Sequence, residues 1–207
     1  PITRGVPMQA FLQLSRFIDA VNERIGRLMM WFILAATLIS AGNAIIRKLF
    51  GTSSNAWLEV QWYLFAAVFM LGGGYAFLRN AHVRIDFISS KFSARGRNWV
   101  DIGGIILFVF PLCGMLVFEG WPLFQQALQS GEMSSNSGGL IRWPVYALIP
   151  LGFALLFLQG ISELIKRFAF LNGQGPDVLS HSGPSETELL AQEIAEQEKA
   201  RQAGASA

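Results

Sequence analysis

Four stretches of this chain run almost without charge for the thickness of a lipid bilayer, and no other feature restricts its backbone as much. They are LMMWFILAATLISAGNAII (28–46), WLEVQWYLFAAVFMLGGGYAF (57–77), IGGIILFVFPLCGMLVFEGWPLF (102–124) and WPVYALIPLGFALLFLQGISELI (143–165). At a rise of about 1.5 Å per residue, some 20 helical residues cover the roughly 30 Å of a hydrocarbon core. Backbone amides find no water there, so each stretch must satisfy its own hydrogen bonds as a helix. Charged residues are 14% of the chain, against about 25% in soluble domains. The sequence therefore predicts an all-α integral membrane protein with four transmembrane helices. The first block exceeds the roughly 7–15-residue core of a signal peptide and is expected to be retained. Cys113 is the lone cysteine, which excludes an internal disulfide and leaves it as packing material in the third span.

Lysine and arginine choose the orientation, because short loops rich in them stay in the cytoplasm. Arg4, Arg16, Arg24 and Arg27 precede the first span. Arg79, Arg84, Lys91, Arg95 and Arg97 follow the second, and Lys166 and Arg167 follow the fourth. The opposite side holds only Arg47, Lys48 and Arg142. Both termini are expected in the cytoplasm, with the basic residues setting topology and touching anionic lipid headgroups. The net charge of +2 conveys little by itself, since the acidic tail conceals the asymmetry, and no nucleic-acid role is suggested.

Before the first span, Met8, Phe11, Leu14, Phe17 or Ile18, Val21, Ile25 and Leu28 recur at steps of three and four between charged and amide residues. This predicts an amphipathic helix over residues 1–27, lying in the cytoplasmic headgroup region before turning into the membrane domain of residues 28–170. Docking of that helix on another protein is the rival reading. Residues 171–207 form a Gly/Pro/Ser linker and a tail in which Ser185 and Glu188 can cap a short helix; His181 stands there without partners.

Several residues invite a chemical reading. His82 and Asp86 are one helical turn apart and share a face. A metal site would need two or three further ligands, and the only other histidine is His181. Local bonding is the expectation for His82. Carboxylates inside membranes are functional candidates by default, yet Glu59, Glu119 and Glu163 all stand nearer an interface than the bilayer centre. Pairing or subunit contact is expected for them rather than transport coupling, with Arg47 or Lys48 as partner of Glu59 and Lys166 and Arg167 within reach of Glu163. Ala36, Ser40 and Ala44, and Gly72 with Ala76, form small-residue faces that let helices approach. Pro111 frees the Leu107 carbonyl and predicts a kink, as does Pro150. Neither a nucleotide-binding glycine loop nor a Ser/His/Asp grouping is present, and nothing points to an enzyme.

The stretch WLEVQWYLFAAVFMLGGGYAFLRNAHVRIDFI, with Glu59 opening the span, Gly72 and Tyr75 toward its end and then His82, Arg84 and Asp86, resembles the small membrane (Q) subunit of tripartite ATP-independent periplasmic (TRAP) transporters. WPVYALIPLGFALLFLQGISELIKRF looks like that family's fourth span. The resemblance covers about residues 10–170, and the second span with its loop is the specific part. It implies a bacterial inner-membrane subunit without cofactor or independent transport, anchoring the scaffold of a large membrane subunit that holds the sodium and substrate sites. It also implies a periplasmic binding protein that delivers the solute, usually a carboxylate. The alternative is a membrane anchor of a respiratory oxidoreductase, which the lack of histidine within the spans disfavours.

Overall fold

The computed structural model of the protein describes residues 6–52, 54–80 and 93–177. Four long helices make up the fold: α1 (Val6–Phe50), α2 (Asn55–Leu78), α3 (Ala94–Ser130) and α4 (Trp143–Leu171). Each contains one of the apolar blocks and is long and apolar enough to cross a membrane.

The α3 helix changes its winding midway. Regular α-helix over Ala94–Gly104 passes into a π turn at Ile105–Val109 and resumes over Phe110–Ser130. The amide of Phe110 reaches back to the Ile105 carbonyl. Pro111, the next residue, has no amide hydrogen, so the widened turn sits where the ladder is already interrupted. Pro150 is buried inside α4, where its ring lies against Gly120 of α3.

The α1 helix differs from expectation in two ways. It runs 45 residues without a break at position 27, about 68 Å at the usual rise, so the amphipathic segment and the first span are one rod. Its buried line is Ser15, Ile18, Asn22, Gly26, Met29 and Ala36, whereas Phe11, Leu14, Phe17 and Leu28 of the apolar stripe stay exposed. The physical reason is the solvent. Lipid is as apolar as leucine, so apolar side chains gain little by turning inward. Ser15 and Asn22 instead gain hydrogen bonds from α4 (2.7 Å between the Ser15 and Ser162 hydroxyls, 2.9 Å from Asn22 Nδ2 to Gln159 Oε1).

α4 is the hub, touching all three other helices, while α1 pairs with α2. Glycines set the crossings. Gly152 lies on the Met70 backbone, Gly26 on the Tyr75 ring, Gly74 on Asn22, and Gly160 on Phe110. Phe110 also packs on Phe157, with ring centroids 4.5 Å apart. The expected small-residue faces are only partly used. Gly72 meets open space, and Gly74 makes the close approach instead. Ala36 is buried, but Ser40 and Ala44 face outward.

Candidate functional site

Buried polar groups gather at the two ends of the bundle. At one end, the segment between α3 and α4 folds into a small hairpin. Gly131, in the left-handed region at φ 62°, closes α3. Met133 and Ile141 pair antiparallel, with Ser134 donating its amide to the Leu140 carbonyl at 2.9 Å. The tip turns through Gly138 at φ 70°.

The first turns of α2 hold this hairpin through Asn55, Glu59 and Tyr63, which share one face because they are four residues apart. Asn55 donates to the Ser137 carbonyl (3.0 Å) and the Tyr63 hydroxyl to the Ile141 carbonyl (2.9 Å). Between them Glu59, only 4% exposed, accepts from the Ser134 hydroxyl, from Asn136 Nδ2 at 2.8 Å and from the Leu140 amide at 2.6 Å. A Cβ on Gly139 would fall 2.9 Å from the Glu59 carboxylate, so the hairpin approaches closely only with glycine there.

The expected pairing of Glu59 with Arg47 or Lys48 is thus corrected. Both cations stand exposed in the last turn of α1, where they complement the helix dipole, and neutral donors satisfy the carboxylate. Arg142 points instead to Glu132 (3.6 Å) and to the Tyr146 hydroxyl (3.4 Å). That hydroxyl bond raises the guanidinium pKa further, keeping it charged. A cavity of about 330 Å³ opens beside Glu59, lined by Trp62, Tyr63, Asn136, Arg142 and Tyr146.

At the other end, α4 presents Gln159, Ser162, Glu163, Lys166 and Arg167 to α1 and α3. Asp19 of α1 accepts from the Ser162 hydroxyl (2.6 Å), from Gln159 Nε2 (2.9 Å) and from Lys166 (3.2 Å). Glu163 pairs with Lys166 and with Arg167, and Arg167 reaches Asp101 of α3 at 2.9 Å. Glu163 and Arg167 are both fully buried. Asn98 donates to Asp177 at 3.0 Å, tying the start of α3 to the chain beyond α4. The expectation that Lys166 and Arg167 reach Glu163 holds, whereas the expected headgroup contact of Arg167 is corrected, because its pairs with Glu163 and Asp101 bury it inside the bundle. Lone buried ions are costly, and mutual pairing offsets much of that cost, although the Arg167 Nε makes no hydrogen bond.

The remaining candidates scatter. Tyr75 packs on Gly26, and Arg79 stands 5.5 Å from its ring centroid while donating to Glu23. The Glu23 bond raises the Arg79 pKa, which keeps the guanidinium charged. Arg27 lies 3.7 Å from the same carboxylate. Arg16, Arg24 and Arg95 are exposed, and Arg97 is half-buried. Glu119 is exposed on α3. His82, Arg84, Asp86 and Lys91 lie outside the described residues, as do His181 and the proposed tail helix. Among the described residues, no group of three His, Cys, Asp or Glu side chains is placed to hold a metal.

Asp19, Asn22, Asp101 and Ser134 were not singled out from sequence. Gln159, Ser162, Glu163 and Lys166 carried a signal, a polar stripe at steps of three and four on an otherwise apolar helix. Their partners on α1 and α3 are visible only once the helices pack.

Both clusters bind helix to helix and helix to hairpin, and their Ser134 and Ser162 hydroxyls are committed to the carboxylates they hold in place. Comparison with known proteins agrees with a role outside catalysis. The family described as "Tripartite ATP-independent periplasmic transporters, DctQ component" matches residues 36–170. No curated protein and no solved structure matches the chain. The match covers most of the membrane helices, the hairpin cluster, and the second cluster apart from Asp177 and its α1 partners, and the chain belongs to the DctQ family, the small membrane component of TRAP transporters.

Proposed function

We propose that this chain is the accessory subunit that anchors and stabilises the scaffold of a large TRAP membrane subunit during sodium-coupled uptake of a carboxylate-type solute delivered by a periplasmic binding protein. The observation that carries the reading is the use of the buried carboxylates. Glu59 and Glu163 are both committed to internal hydrogen bonds and ion pairs at the ends of the bundle, which holds a rigid frame. In this reading both termini face the cytoplasm, following the basic residues around α1, α2 and α4. The first part of α1 continues the span toward the inner headgroups, with its exposed apolar stripe against lipid. Sodium and solute are bound by the large subunit, and the residues of this chain support assembly.

The test is purification of the tagged chain in mild detergent from membranes that also contain its large subunit, followed by reconstitution with and without it. The expected result is a stoichiometric complex, and solute flux only when the large subunit and the binding protein are present. Sodium-dependent flux through liposomes holding this chain alone would overturn the proposal. A haem- or flavin-bearing partner in the complex would replace it with an electron-transfer anchor.

A further inference from the structure

Glu119 is exposed on α3 amid an apolar surface that includes Leu112, Met115 and Phe118. Among the described residues it has no hydrogen bond or ion pair. The next polar residue toward the hairpin end is Gln125, six positions or about 9 Å further along the axis. A glutamate side chain is too short to bridge that distance. Helical side chains also tilt toward the N-terminus of their helix, which for α3 is away from Gln125 and toward the bilayer middle. Snorkelling therefore does not relieve Glu119. The carboxylate has a companion. Pro122, inside the same helix, has no amide to give the Phe118 carbonyl one turn back. The exposed carboxylate thus stands on an apolar face of α3, one residue from a carbonyl that lacks its usual donor one turn on. A charge left unpaired on an apolar, lipid-facing surface is costly. A cationic donor from outside this chain removes that cost.

We infer that the face of α3 carrying Leu112, Met115 and Glu119 docks a transmembrane segment of the large subunit, and that this segment places a lysine or arginine against the Glu119 carboxylate and the Phe118 carbonyl. The inference rests on the accessory-subunit reading and adds the face and the chemistry of contact. Charge complementarity selects the occupant. Lipid acyl chains offer no donor, and a second copy of this chain joined two-fold through this face would bring Glu119 against another Glu119.

The experiment uses the chain co-expressed with its large subunit in native membranes. A photo-crosslinking amino acid replaces Met115, or Leu49 on exposed α1 as control, and the adducts are mapped. In parallel, recovery of the large subunit is measured for Glu119→Gln and Glu119→Lys. We expect an adduct from position 115 to a large-subunit helix bearing a lysine or arginine. We also expect recovery to fall several-fold with Glu119→Gln and at least tenfold with Glu119→Lys, and to return when the mapped cation is changed to glutamate. Should the Lys variant fail to accumulate, the Gln variant and the position-115 adduct decide. Full recovery with Glu119→Gln, or a position-115 adduct only to lipid or to a second copy, overturns the inference and leaves the accessory role standing. Absence of the large subunit from the wild-type preparation overturns the accessory role itself.

Discussion

Glu59 receives three hydrogen bonds from a single hairpin, and its amide counterpart can keep only some of them. In Glu59→Gln one oxygen still accepts from Ser134 and Asn136, but the new NH2 faces the Leu140 amide, donor against donor. Leaving such a buried donor unmet costs about 1–3 kcal/mol. The expected outcome is a lower melting temperature of the purified complex and faster protease cleavage between residues 131 and 142. Unchanged cleavage would show that the hairpin does not depend on Glu59. Glycines offer a second comparison. Gly152→Ala drives a methyl into the Met70 backbone, an overpacking worth about 1–3 kcal/mol. Gly72→Ala enters open space and gains helix propensity of up to about 1 kcal/mol. Thermal unfolding in detergent should separate the two variants; equal losses would contradict the packing described. The sequence marked both Glu59 and Gly72 but not what either meets inside the bundle, for one reason. Spacing along a helix shows which residues share a face but not what that face meets.

Elements are joined here through polar contacts as much as apolar ones. Arg167 links α4 to α3 through Asp101 and holds Glu163 of its own helix. Arg167→Met leaves buried Glu163 with Lys166 as its remaining cation and a longer bond from Gln159, and removing one partner of a buried pair costs about 3–5 kcal/mol. Adding Glu163→Gln removes the stranded charge, so the double variant is expected to recover most of the loss. A double variant as unstable as Arg167→Met alone would mean that shape, not charge, sets the contact. The α1 helix teaches the same lesson from the other side. Its apolar periodicity was legible, yet the face it buries carries Ser15 and Asn22. In water that stripe would turn inward, but in lipid hydrogen bonds choose the buried face. The π turn of α3 was half legible. Pro111 announced an interruption, while its form depends on the fit of Phe110 and Ile105 against Gly160.

The whole molecule has a direction across the membrane that can be read with its own chemistry. The lone cysteine, Cys113, is buried, so an engineered cysteine reports without background. Ser137 at the hairpin and Gln174 beyond α4 are both exposed. With both termini in the cytoplasm, a membrane-impermeant maleimide labels Ser137→Cys in intact spheroplasts and Gln174→Cys only after lysis; the opposite pattern would invert the proposed topology. At this scale the sequence by itself determined four helices and the class of the protein. The reason is that a hydrocarbon layer admits one solution for an apolar stretch of about 20 residues, and the motif around the second span is specific enough to mark its family. What only the tertiary structure decided is which polar residue meets which. Asp19 lies 143 positions from Ser162, and Glu59 lies 81 from Leu140. Such pairs form through helix crossings set by glycines on different helices, and no local pattern in one segment encodes the surface of another.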